Sequence, residues 1–200
     1  MSGLPNVSRE TNDKLRTFVA LVEKWNPRIN LVSRISLEEI WSRHVADSAQ
    51  LYELSEGTGH WVDIGSGGGF PGIVCAILAE QDDRFDRFTL VESDTRKSTF
   101  LRTAIRECGL KANVLNKRIE SLPKLEANVL SARALADLDG LLKFSVLHLR
   151  PDGLALFPKG ARWRKEVELA RQSWNFDHEA VKSKTEAQAV ILKLKGITRV

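Results

Sequence analysis

Between two apolar runs the chain reads Asp63-Ile64-Gly65-Ser66-Gly67-Gly68-Gly69-Phe70-Pro71-Gly72, an acid followed by a glycine-rich turn. Glycines there open backbone angles closed to other residues and let a ligand approach the main chain. So many glycines between a buried strand and a helix cost too much chain entropy for a casual linker, so the turn reads as a binding loop. Gly67-x-Gly69-x-x-Gly72 formally satisfies a dinucleotide fingerprint, and Glu92 ends the next apolar run where an acid could hold a ribose, so a nicotinamide cofactor stays open as an alternative. Counted from Gly65, however, the third fingerprint position falls on Phe70. An acid before Gly-x-Gly-x-Gly better suits a sulfonium cofactor, which has no pyrophosphate to be repelled. Asp63 can orient its ammonium end, directly or through water, the main chain at Gly67 can approach it, and Glu92 can accept both ribose hydroxyls. S-adenosylmethionine therefore fits best, and no Gly-Lys-Ser or Gly-Lys-Thr closes the turn as a Walker phosphate loop requires.

These residues need particular elements behind them. Trp61 to Ile64 predicts a strand, and Pro71 to Glu80 a helix whose first position tolerates proline. Phe88 to Val91, Ala112 to Leu115 and Asn128 to Ala132 predict further strands. They alternate with helices over Thr95 to Cys108 and Asp137 to Leu149, the latter ended by the Pro151-Asp152-Gly153 turn before an apolar Leu154 to Phe157. Such alternation implies a parallel sheet with right-handed crossovers. Arg162 to Trp174 reads as helix. Phe176 to Val181 and Ala189 to Leu194 read as a closing strand pair, one strand inserted antiparallel, a methyltransferase-type rather than a dehydrogenase-type sheet. The third strand should end near Asn116, placing Lys117-Arg118-Ile119-Glu120 at the edge of the cofactor crevice.

Upstream, residues 1–56 read as a helical extension of a 57–200 cofactor-binding core, the whole forming one compact domain. Leu15, Phe18, Val19, Val22 and Trp25 make an apolar stripe closed by Pro27, and Ser36 with Glu39 forms a capping box for a second helix. On that helix Arg43 and Asp47 have the spacing of an ion pair.

The chain has 200 residues, 42% hydrophobic and 28% charged, with a net charge of only +4. The excess is uneven: residues 156–200 carry 10 basic against 5 acidic side chains, which hints at an anionic partner. Cys75 and Cys108 form no CxxC pair, and a reducing cytoplasm fits them. Met1 to Arg9 lacks an apolar signal core and no run is long enough to span a bilayer, so neither export nor membrane insertion is expected. The scattered His44, His60, His148 and His178 make a metal site unexpected, and nothing demands more than a monomer.

The glycine loop, preceded by Asn30-Leu31 and Arg43-His44-x-x-Asp47-Ser48, closely resembles the bacterial small-subunit ribosomal RNA guanine-N7 methyltransferase family, long called glucose-inhibited division protein B. Leu90-Val91-Glu92-Ser93, Lys97, Phe100-Leu101, Arg118-Ile119-Glu120, Ser131-Ala132-Arg133-Ala134 and Phe157-Pro158-Lys159-Gly160 continue the resemblance in order, over about residues 15–195. It implies an α/β fold of the Rossmann-like class I methyltransferase type, a doubly wound, mostly parallel sheet with an N-terminal helical extension. It also implies methylation of one guanine N7 of 16S ribosomal RNA, in the small subunit or an assembly intermediate. By the resemblance, cofactor contacts fall on Gly65, Phe70, Ile119, Glu120 and Arg133, and His44, Asp47 and Ser48 belong to a lid over the cofactor pocket. Glu92 departs from the commoner Asp. A small-molecule methyltransferase of the same fold is the other alternative.

Guanine N7 carries a lone pair and no proton, so no general base is needed and alignment is the catalytic demand. Arg133 then suits guanine O6 or a phosphate. RNA would need a basic rim, for which Arg43, His44, Lys97, Arg118, Lys159, Arg162, Arg164 and Lys165 are candidates. Trp163 could stack on an extruded base, or it packs as a helix-start core residue.

Overall fold

A computed structural model describes residues 4 and 6–200; the remainder of the amino terminus, where no signal core is expected, lies outside the described residues. The first helix, α1 (Arg9–Ile29), is capped by Ser8, whose hydroxyl accepts from Thr11 N. Its stripe Leu15, Phe18, Val19 and Val22 is buried as expected. Pro27 does not close it. The helix runs through it to Asn30 at φ 50°, since a proline this near the end costs only the one hydrogen bond its own nitrogen would give. Asn26 Oδ1 accepts from Leu31 N and Val32 N at 2.7 and 2.9 Å.

The capping box shifts as well: Ser33, not Ser36, caps α2 (Arg34–Glu38), its hydroxyl accepting from Ser36 N. The chain then passes through a π turn (Trp41–Val45) into α3 (Ala46–Leu54). A π turn takes in one extra residue, so beyond it four-residue spacing no longer stacks side chains on one face. Arg43 pairs with Glu39, four residues before it and still in α-type register, at 3.6 Å and with Glu186 at 3.7 Å, and not with Asp47 across the π turn.

From there strands and helices alternate: β1 (His60–Ile64), α4 (Gly72–Ala79), β2 (Arg87–Val91), α5 (Thr95–Glu107), β3 (Ala112–Leu115), β4 (Ala127–Ala132), α6 (Leu138–His148), β5 (Leu149–Lys159), α7 (Trp163–Ala170), β6 (Trp174–Lys182) and β7 (Val190–Arg199). The sheet order is β3-β2-β1-β4-β5-β7-β6, with β7 antiparallel to both neighbours and β1 to β5 mutually parallel. This is the inserted antiparallel strand expected from the tail. Two boundaries differ. The Pro151-Asp152-Gly153 segment is absorbed into β5, where the register against β4 jumps between Ala127 and Val129. Trp174 opens β6 rather than closing a helix, its indole donating to Asp139 Oδ1 at 2.7 Å.

Strand alternation sends Trp61 to one sheet face, beneath α1, α3, α4 and α5, and Val62 and Ile64 to the other, beneath α6 and α7. The extension thus shares one apolar cluster with the sheet. Phe100 of α5 meets Phe18 and Trp25 of α1 at ring distances of 6.4 and 5.8 Å. Helix α3 is stitched to the last hairpin: Gln50 donates to Lys182 O at 2.8 Å and accepts from Lys184 N at 2.9 Å. Glu56, just past α3, accepts from both Lys193 and Lys195, which hold its carboxyl down to about 2. No helix among the described residues is long and apolar enough to cross a membrane.

Because Phe100 is where the extension and the sheet share their core, Phe100→Ala should cost about 3–5 kcal/mol while leaving a single cooperative transition. Urea unfolding followed by both tryptophan fluorescence and circular dichroism checks this, and separate transitions for the two probes would contradict it.

Candidate active site

The glycine turn is held from β2. Gly65 N and Ser66 N both donate to Val91 O, at 2.9 and 3.1 Å. Gly67 N donates to Glu92 Oε2 at 2.9 Å. The other Glu92 oxygen accepts from Asp94 N at 2.7 Å, and Asp94 in turn caps α5 through Arg96 N and Lys97 N. Gly65 lies at φ +66°, and a Cβ there would come 2.7 Å from a Leu135 methyl; Gly67 lies at φ +50°, and a Cβ there would meet only a backbone oxygen at 3.7 Å. The turn is therefore held by its amides while its outer side faces open space.

That space is a cleft of about 520 Å³ lined by Gly65, Gly67, Val91, Glu92, Lys97, Arg118, Ile119, Glu120, Leu135 and Phe144, among others. It collects Gly65, Gly67, Glu92, Ile119 and Glu120 of the expected cofactor residues, with Lys97 and Arg118 at its rim. Glu92 is 8% exposed, and with one amide on each oxygen it keeps a free lone pair on each. Leu135 and Phe144 were not anticipated: Phe144 hides within the apolar pattern of α6, and Leu135 follows β4 in a loop whose direction sequence does not give.

Asp63 does not line this cleft. Its strand position turns it to the α4 face, 1% exposed, where Oδ1 accepts from Ser131 Oγ at 2.7 Å and Ser131 accepts from Trp61 Nε1 at 2.9 Å. Burial raises its carboxyl to about 6. Phe70 is also buried, 3% exposed. It reaches the site with its ring, which lies 5.0 Å from that of His44 and 5.3 Å beneath the Arg133 guanidinium.

A second cleft, about 390 Å³, adjoins the first; Ala134 and Ala136 line both. Arg43, His44, Asp47, Arg133, Lys159, Glu166, Ser183 and Glu186 line it. The structure thus brings the helical motif, the end of β4 and the β6–β7 loop to one place, and the loop residues were missed because nothing local in 183–186 marks them. Arg133 donates through Nη1 to His44 Nδ1. A guanidinium only donates, so Nδ1 carries the lone pair and the ring is neutral with its proton on Nε2, which finds no partner among the described residues. Burial first, then Arg133 and Arg43, press the imidazole down to about 4.

The basic candidates separate. Lys159 is 9% exposed and its ammonium is bound by Glu166 at 2.8 Å and Ala136 O at 3.1 Å, so its charge supports the cleft wall and is not offered outward. Lys184, Lys193 and Lys195 pair with Glu53 and Glu56, so two acids from outside the tail offset part of its excess charge. Arg162 and Lys165 line a groove that shares Ala136, Lys159 and Glu166 with the second cleft. Trp163 packs against the core beneath α7, with the Arg164 guanidinium 4.5 Å over its ring, which favours the packing role over base stacking.

The family model described as GidB, rRNA small subunit methyltransferase G, matches residues 11–194. A curated protein of Ruegeria pomeroyi, ribosomal RNA small subunit methyltransferase G, is 57% identical over 98% of this chain and 96% of its own. Among solved structures, a TehB-like SAM-dependent methyltransferase of Corynebacterium glutamicum matches with a TM-score of 0.59 at 13% identity, over 90% of this chain and 98% of its own. TYW2 of M. jannaschii, solved in complex with AdoMet, matches with a TM-score of 0.58 at 14% identity, over 85% of this chain and 78% of its own. At such identities the two structures speak to the fold, which is the class I methyltransferase sheet.

The depressed His44 imidazole has a thermodynamic consequence. Its folded value lies below the ordinary 6.5, so between pH 6.5 and about 4 the unfolded chain takes up a proton that the folded site refuses, and stability falls as pH falls through that window. His44→Phe should therefore be less destabilising relative to wild type at pH 5 than at pH 7. Urea midpoints at the two pH values measure this; an identical difference at both would rule it out.

Proposed function

The chain belongs to the rRNA small subunit methyltransferase G family, and from that premise we propose that it transfers a methyl group from S-adenosylmethionine to N7 of one guanine in 16S ribosomal RNA. The observation that carries the reading is the pair of clefts meeting at Ala134 and Ala136, one built around the glycine turn and one around Arg133. The first fits the cofactor's parts. Glu92 keeps lone pairs for two ribose hydroxyls, Ile119, Leu135 and Phe144 offer apolar walls to a purine, and the Gly67 main chain is bare toward the cleft.

When bound, S-adenosylmethionine supplies an electrophilic methyl on a positively charged sulfur. The N7 lone pair forms the new bond to that carbon as the carbon–sulfur bond breaks, its electron pair going to sulfur, so the positive charge passes to the guanine ring. No proton moves, and the chain has only to hold nucleophile, methyl and sulfur in line. Arg133, fixed by His44 and Phe70 at the junction of the clefts, positions the base. The reaction needs no metal, since nucleophile and leaving group are both competent without one. Both clefts are built from a single chain, which acts in the cytoplasm as a monomer on the small subunit or an assembly intermediate. Arg162, Lys165, Lys97 and Arg118 hold flanking phosphates.

Labelled methyl should appear in one guanine of small subunits from cells lacking the modification; no transfer to subunits or naked RNA would overturn the reading. Gly65→Ala, which forces a Cβ against Leu135 at a left-handed position, should weaken S-adenosylhomocysteine binding by about tenfold or more in calorimetry. Arg162→Gln with Lys165→Gln should lower RNA affinity and reduce the slope of log affinity against log salt by about 1 for each phosphate no longer neutralised.

A further inference from the structure

The second cleft holds two opposite charges that do not close on each other. Arg133 and Asp47 both line it and each senses the other's charge, yet no ion pair joins them. Each is held from behind by something else. Arg133 gives Nη1 to the neutral His44. Asp47 Oδ1 accepts from the hydroxyls of Thr185 and Ser183, while Oδ2 makes no hydrogen bond among the described residues. The other carboxylates of the cleft answer other groups: Glu166 Oε2 accepts from Lys159 and Leu138 N, and Glu186 lies 3.7 Å from Arg43. Asp47 is the acid of this cleft whose charge acts on Arg133, and its Oδ2 is left to accept beside the guanidinium's remaining donors.

Guanine presents an acceptor, O6, beside a donor, N1–H, followed by the N2 amino donor; adenine presents the reverse, an amino donor beside the N1 acceptor. Bases taken out of the stack are read on this edge. We infer that Asp47 is the specificity-determining residue of the target cleft, its Oδ2 accepting from N1–H and the N2 amino group of the guanine while Arg133 donates to O6. Adenine in the same place would set donor against guanidinium and leave the carboxylate facing a lone pair, a mismatch that buried polar sites reject strongly. The hydroxyls of Thr185 and Ser183 are positioning groups: they keep Asp47 from swinging onto Arg133. The helical motif and the last hairpin loop are thereby joined in one recognition device, which rests on the methyltransferase reading and adds to it what selects the base.

The test is single-turnover transfer to small-subunit RNA carrying guanosine or inosine at the target, inosine lacking only the N2 amino group. Wild type should be slowed about tenfold or more by inosine, and Asp47→Asn should be slowed by a similar factor on guanosine yet change by no more than about twofold on exchange to inosine. Thr185→Val, which removes a hydroxyl behind the carboxylate without touching the base, should show an intermediate rate and an intermediate guanosine preference, and serves if Asp47→Asn fails to fold. Undiminished discrimination in either variant would overturn the assignment while leaving the methyltransferase reading intact. Absence of transfer by wild type to guanosine would overturn both.

Discussion

The Glu92 carboxylate is the hinge of the design. Its two oxygens take the amides of Gly67 and Asp94, one from the turn after β1 and one from the cap of α5, so a single side chain sets the distance between the glycine loop and the next helix. Left-handed glycines cost conformational entropy and gain no packing of their own, so a turn rich in them keeps one shape only if its amides are claimed. Val91 O claims two and Glu92 a third. The acceptor that fixes the loop is thus the same group whose remaining lone pairs face the cleft, and binding there needs little rearrangement of the protein.

On the opposite side of the junction the same economy uses buried polar pairs. Trp61, Ser131 and Asp63 form a relay behind the loop, and Arg133 with His44 forms another beside it. Asp63, expected to meet a ligand, instead meets Ser131, and its carboxyl rises to about 6 because burial there outweighs the hydrogen bonds it receives. Arg133 lies near both Asp63 and Asp47, so the two relays act on one guanidinium. This is why the end of β4 can hold a cation firmly in a place largely shut off from water.

The elements that could be read in sequence were those set by local pattern. Periodicity located the parallel strands and their helices to within a few residues, and glycine and proline marked the binding turn. The inserted strand was legible from apolar alternation in the tail; of the residues lining the first cleft, Gly67 and Glu92 were read from the turn and the acid after it, and Gly65, Ile119 and Glu120 from the resemblance, which also named Phe70 and Arg133, outside that cleft. What escaped depends on long-range geometry. The π turn that separates Arg43 from Asp47 leaves no compositional mark. Nothing local says that Lys159 will meet Glu166, or that Thr185 will reach back across most of the chain to Asp47. The basic tail shows the same limit: counting charges found the excess, but two acids that offset part of it, Glu53 and Glu56, belong to a distant stretch of the sequence.

The stitching of α3 to the last hairpin bears on how the protein comes into being during synthesis. The first cleft uses residues 65–144, whereas the wall of the second is completed by 183–191. All residues of the first cleft are therefore made before those that complete the second. The two clefts thus differ in reach: the first is closed within one continuous stretch of chain, while the second waits on a loop whose Ser183 lies 136 residues after Asp47.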